Sequence, residues 1–335
     1  MLSKPNRKSI INYAISIIAF IWISVMIVKQ LKQQDQLHEA YLNLTSNWTQ
    51  ERIILLSVVF VLMLCNWSVE AIKWRLLLKP LQAISLGRSL RSVLTGISIS
   101  LLTPNRIGEY AGRIIYLKDV NKLKGITANM VSSFAQFIAA SIFGIAGCIF
   151  YIVRFNTEWY LPYVLAGSIL VVILLLLFYF RLDNIVNWLE KFTLLQKVSE
   201  YMQVVKTYES GLLIRIIIFS ALRYFIFAMQ YYILLHSFLI HIHILPALLS
   251  VFLIFWLMAI IPTIALAEIP VRTEMSYRIL QVFTSNALGV MSASIFLWLI
   301  NLIIPALIGG IVLIGTKFSN KEYIKNMSMF IFLCL

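Results

Sequence analysis

Apolar positions in this chain do not alternate with polar ones; they come in long runs. Residues 11–28, 53–65, 126–153, 161–180, 212–235, 245–261 and 288–314 are such runs, with few charges among them. About 20 apolar residues in helical form cross about 30 Å of hydrocarbon. Inside lipid a segment must satisfy its own backbone groups, which predicts helices. A membrane β-barrel would instead show a two-residue alternation, and none is present. Two apolar stretches stop short. Residues 93–102 end at Thr103-Pro104-Asn105, and residues 245–261 end at Pro262.

The basic residues orient these runs, since Lys and Arg concentrate on the cytoplasmic side. Lys4, Arg7 and Lys8 set the N-terminus inside. After the second run the chain carries Lys73, Arg75, Lys79, Arg88 and Arg91, and beyond Pro104 it carries Arg113, Lys118, Lys122 and Lys124. Both groups belong inside, so the stretch between them is expected to form a re-entrant helical hairpin that breaks near Pro104. Residues 126–153 then lead out and 161–180 lead in. The segment from Arg181 to Arg215 mixes Trp188, Leu189, Phe192 and Leu195 with Arg181, Lys191, Lys197 and Lys206, the pattern of an interfacial amphipathic helix. Residues 212–235 lead out again. Lys317, Lys321 and Lys325 fall inside only if 245–261 opens a second hairpin.

The expected fold is an all-α polytopic membrane protein of about six full transmembrane helices and two re-entrant hairpins, with both termini in the cytoplasm. One membrane domain covers 1–320, and the tail 321–335 lies along the interface. Each half, about 10–153 and 160–315, reads span, span, hairpin, span. Three spans per half invert the second copy, giving the inverted repeat of many transporters.

Composition narrows the function classes. Of 335 residues 61% are hydrophobic and 13% charged, which leaves no room for a soluble catalytic domain. The net charge of +14 is expected to face anionic lipid in the cytoplasmic membrane, not nucleic acid. The first run follows a basic stretch but is long and lacks a small-residue cleavage site, so it is expected to be retained as a span. Cys65, Cys148 and Cys334 are scattered and suggest no disulfide framework. His236, His241 and His243 sit in a loop with no carboxylate or thiol beside them, and no metal or cofactor is expected. Asn43-Leu44-Thr45 and Asn47-Trp48-Thr49 match glycosylation sequons, a pattern with little meaning outside a eukaryotic secretory context. No phosphate-binding loop, dinucleotide fingerprint or nucleophile elbow occurs.

Ionisable residues within apolar sequence are the candidate chemistry. The two hairpin breaks share a pattern: a proline, then a small residue before Glu, then Arg four residues later. The first runs from Thr103 through Pro104, Arg106, Gly108 and Glu109 to Arg113. The second runs from Pro262 through Ala267, Glu268 and Pro270 to Arg272. Glu and Arg at i,i+4 neutralise each other if they share a helix, though Pro270 at a helix start would spoil that geometry for the second pair. Arg106 and Glu274 have no partner in this scheme. Thr103 is placed to cap a helix opened by Pro104, whose free N–H groups, with Arg106 and Arg113, would favour a phosphate. Glu109 and Glu268 would hold a cationic headgroup or carry a coupling proton. In the second span Lys73 and Trp74 read as an interface anchor, whereas Glu70 lies one turn deeper. In the fifth, Arg215 is near enough to the cytoplasm to snorkel and Arg223 is not. The substrate-binding candidates are Arg106, Glu109, Arg113, Glu268, Arg272, Glu70 and Arg223.

These residues resemble the transmembrane region of lysylphosphatidylglycerol synthases, the flippase-like part of MprF-type proteins. The resemblance is carried by Glu70-Ala71-Ile72-Lys73-Trp74-Arg75, by Leu102 to Glu109 and by Pro262 to Glu274, and covers about residues 50–315. It implies a bundle with re-entrant segments that moves aminoacylated phospholipid between leaflets. The chain ends about twenty residues after its last apolar run, so the synthase activity that accompanies this region in larger relatives is not expected here. The expected function is a lipid flippase or transporter of a phospholipid or lipid-linked substrate. The alternatives are a membrane-embedded enzyme acting on a polyprenyl-phosphate or phospholipid, and a non-catalytic partner of a separate synthase or glycosyltransferase.

Overall fold

The computed structural model of the chain describes residues 49–314 except 102, 104–105, 119–120, 156–158, 160, 193–195 and 262–264. The expected first span, the asparagines of both sequons, Cys334 and the tail 321–335 lie outside the described residues. Every regular element among the described residues is helical.

The first helix, α1 (Gln50–Leu78), starts at Thr49, whose hydroxyl accepts the Arg52 N–H at 3.3 Å. That contact satisfies one of the free donors of the first turn. Two short helices follow, α2 (Leu86–Ser100) and α3 (Gly108–Ile114). Then come α4 (Lys122–Phe155), α5 (Leu161–Phe180), α6 (Leu182–Leu189) and α7 (Gln196–Met202). A 3₁₀ turn (Gln203–Thr207) leads into α8 (Ser210–Ser237). The chain continues through α9 (Ile244–Ile260), α10 (Ala265–Leu280) and α11 (Ala287–Trp298). A π-helical stretch (Leu299–Ile303) joins α11 to α12 (Ile304–Ile314).

Five segments are long and apolar enough to cross a membrane: α1, α4, α5, α8 and the joined α11–α12. They are the five expected spans that fall within the described residues. On α5 only 11% of the most apolar window is buried, so most of its apolar side chains face outward as they would toward lipid. The segment after it is amphipathic, with Val186 buried and Trp188 and Phe192 exposed.

The two expected hairpins are short helix pairs. At 1.5 Å per residue α2 is about 22 Å long and α3 about 10 Å, too short to cross hydrocarbon. They run antiparallel: Ile99 neighbours Gly108, Gly96 neighbours Gly112, and the Ser92 hydroxyl donates to the Arg113 carbonyl at 2.7 Å. The first helix begins at Leu86, earlier than the apolar stretch suggests, because Ser85 caps it by accepting the Arg88 N–H. The second pair is α9 and α10. Here an expectation fails: α10 runs through Pro270 without a break, so Glu268 and Arg272 do share a helix.

Each pair packs against the other half of the chain. Helix α2 lies on α12, and α9 lies on α4. Glycines make both contacts close. Gly309 of α12 meets the Leu94 carbonyl of α2, and Gly147 of α4 meets the Leu249 carbonyl of α9. At the centre α1 packs along α8, joined by Gln230, which donates to the Val59 carbonyl at 3.0 Å.

Candidate functional site

Helices α1, α2, α3, α4, α8, α9, α10 and the π-helical stretch surround one cavity of about 610 Å³. Its polar wall is built around Glu70 on α1, which is 1% exposed. A carboxylate this deep must be neutralised and hydrogen-bonded. Lys73 comes from one turn further along the same helix, at 2.9 Å. Arg113 of α3 reaches the other oxygen at 2.7 Å, and Arg223 of α8 binds the oxygen that Lys73 shares. Arg223 also donates to Asn66 at 2.8 Å and to Gln136 of α4 at 3.1 Å, with its guanidinium over the Trp67 ring. Three cations from three helices therefore converge on one anion.

Arg113 links this group to the hairpin, because it also bonds Glu109 on its own helix. The second group is Glu268 on α10, which accepts from Arg272 at 2.6 Å through one oxygen and from Arg106 at 2.6 Å through the other. Arg272 lies over the Phe255 ring of α9. Arg106 crosses from the first hairpin to the second over 162 positions of sequence. It is also strained: its φ of 57° lies in the left-handed region that a side chain with a Cβ rarely occupies.

The seven candidate residues are thus brought together on the wall of one cavity. Several neighbouring expectations need correction. Arg106 is paired with Glu268, and Glu274 is paired with Arg278 on an exposed helix face at 2.6 Å. The helix of the first hairpin opens at Gly108, not at Pro104, and its Gly108 N–H is already held by the Thr103 hydroxyl at 2.7 Å. A 7-residue helix of about two turns whose first donor is occupied is not a phosphate site by itself.

Lys73 and Trp74 are not an interface anchor. Both are fully buried, Lys73 on Glu70 and Trp74 donating to Ser92 at 2.9 Å, since the α1 face that bears them turns into the bundle. Arg215 is exposed, in keeping with a residue that snorkels.

Other lining residues carried weaker sequence signals. Asn129, Ser132, Ser133 and Gln136 form a polar stripe on α4 at helical spacing, legible in an otherwise apolar span. Asn301 lies in the π-helical stretch and had no local signal. Among the described residues no cluster of His, Cys, Asp and Glu is arranged to hold a metal.

The model of the family described as Lysylphosphatidylglycerol synthase TM region matches residues 10–309 of this chain. No curated protein matches it.

Proposed function

Because the chain belongs to the lysylphosphatidylglycerol synthase transmembrane-region family, we propose that it is a flippase-like transporter moving a phospholipid or lipid-linked headgroup across the cytoplasmic membrane. The observation that carries this reading is the Arg106–Glu268 pair, in which two short hairpins from opposite halves close a charged cavity between spanning helices. Buried ionisable groups in a membrane bundle mark substrate or ion pathways. In this reading the hairpins are re-entrant and the halves about 10–153 and 160–315 are an inverted repeat. The reciprocal packing of α2 on α12 and α9 on α4 supports it. The headgroup occupies the cavity while the acyl chains stay in lipid. Both termini face the cytoplasm.

The mechanism follows from the pairing. In the structure Glu268 holds Arg106 and Glu109 holds Arg113. A bound headgroup competes for the partly exposed partners, Arg106 and Glu109, and weakens the tie between the hairpins. Relative movement of the halves then exposes the site to the other leaflet, as in alternating access. The buried group around Glu70 stays intact and serves as the fixed floor.

Reconstitution into liposomes with headgroup-labelled lipids, read by quenching of the outer leaflet, tests this. Wild type is expected to move label between leaflets, and Arg106→Gln to lose most of that rate while keeping its thermal unfolding profile; Glu268→Gln, which leaves the buried Arg272 uncompensated, is expected to lose both rate and stability. Full transport in both folded variants would remove the cavity from the mechanism. Chemical change of the lipid in the same vesicles would favour an enzyme instead.

A further inference from the structure

The cavity holds more positive charge than negative. Arg106, Arg113, Arg223 and Arg272 line it, against Glu70, Glu109 and Glu268. Lys73 stands directly behind Glu70. Its ammonium has one acceptor for each N–H: Glu70 at 2.9 Å, Ser220 at 3.3 Å and Gln136 at 3.4 Å. That is the geometry of a protonated amine. Among the described residues five cations face three carboxylates, each of which is held by at least one of them. Two positive charges are left over in surroundings of low dielectric, where uncompensated charge is costly.

Hydrogen bonding points the same way. Of the lining residues, Arg113 Nε and Nη1, Arg272 Nε and Nη1, Asn66 Nδ2, Trp67 Nε1 and Trp298 Nε1 have no hydrogen-bond partner among the described residues; they are buried just behind the wall and would meet a ligand only after a small shift of the side chains. All of these are donors. The matching unpaired acceptor among the described lining residues is Asn301 Oδ1. A wall with surplus charge and surplus donors suits a ligand rich in negative acceptor oxygens. Arg106, whose side chain is 45% exposed, is the cation such a ligand reaches first.

We propose that the site selects a lipid ending in a terminal phosphate, a phosphomonoester, over phosphodiester headgroups, and that it disfavours aminoacylated, net cationic ones. This rests on the lipid-transport reading above. A phosphomonoester carries about 1.5 to 2 negative charges near neutral pH and three strong acceptor oxygens, which matches the surplus. A phosphodiester such as phosphatidylglycerol cancels half of it. A lysylated diester adds a positive charge to the two already present. The recognised chemistry is the phosphate, which either a diacyl lipid (phosphatidate) or a polyprenyl chain can present.

The test is competitive lipid retention by the full-length protein in detergent, read by native mass spectrometry. Equimolar phosphatidic acid, decaprenyl phosphate, phosphatidylglycerol and lysyl-phosphatidylglycerol are offered together. We expect the two terminal phosphates to be retained about tenfold over phosphatidylglycerol, the size of one charge-assisted hydrogen bond, with the lysylated lipid weakest. Preference for one of the two phosphates identifies its chain type; equal retention means that the phosphate alone is read.

Two partly exposed side chains give opposite signs. Arg106→Gln should lower retention of the terminal phosphates about tenfold. Glu109→Gln removes a negative charge and one of the two carboxylate partners of Arg113, so retention of the terminal phosphates should rise. Best retention of the lysylated lipid, or loss of terminal-phosphate retention in Glu109→Gln, would overturn the charge inference and leave the transport reading standing. Equal retention of all four lipids by wild type and variants would overturn it as well. Selective phosphate retention without movement in the vesicle assay would leave this inference standing and remove transport.

Discussion

Glu70 is the residue on which the buried charges depend. Lys73, Arg113 and Arg223 all point to it. Removing one partner from a buried charged group costs about 3–5 kcal/mol, because the others are left uncompensated. Glu70→Gln should therefore lower the thermal unfolding temperature in detergent sharply and reduce the yield of folded protein. An unchanged profile would mean that the cations find anions elsewhere. Arg106 should behave in the opposite way. Its left-handed φ costs on the order of 1 kcal/mol, which glycine does not pay. Arg106→Gly, in which relief of strain offsets part of the lost Glu268 contact, is expected to unfold well above Glu70→Gln and still lose lipid retention. Separate readouts for stability and retention distinguish the two residues. Spacing made Glu109 with Arg113 and Glu268 with Arg272 legible as local pairs. Nothing local distinguished Lys73 from a snorkelling lysine, since the distinction lies in which face of α1 turns inward.

The first hairpin shows at the level of elements how a charged side chain is brought to a buried target. Helices α2 and α3 touch at glycines, so that a methyl group at Gly112 would lie 2.6 Å from the Gly96 Cα. That close approach is what lets Arg113 reach Glu70 from a short helix. Gly112→Ala should push the helices apart, costing about 1–3 kcal/mol, and weaken lipid retention with it. Gly87 sits on the same α2 with nothing within 4 Å of its added Cβ. Gly87→Ala should raise stability by about 0.5–1 kcal/mol through helix propensity. Thermal unfolding of both variants checks the pair, and equal effects would refute the packing argument. Sequence located both hairpins by their length and flanking charge. It misjudged the second, where α10 continues through Pro270, and it gave no sign of the π-helical stretch at Leu299–Ile303, which brings Asn301 to the cavity.

For the whole molecule the decisive feature is that the halves are joined at their hairpins. Under the proposed transport, alternating access requires the Arg106–Glu268 contact to open. The surplus of positive charge is also a property of this scale, since no single helix carries it.

The sequence by itself determined the class of this protein, its five described spans and the two places where ionisable residues interrupt apolar sequence. Those properties are local: hydrocarbon thickness sets the length of a run, and helical spacing sets which neighbours pair. Only the tertiary structure decided that Lys73 and Trp74 are buried, that Arg106 meets Glu268 and that Glu70 gathers three cations. These depend on which helix faces meet, and hydropathy is nearly uniform around a membrane span, so it cannot say which face turns inward. Packing of small residues and pairing of buried charge settle that choice, and the partners lie up to 162 positions apart.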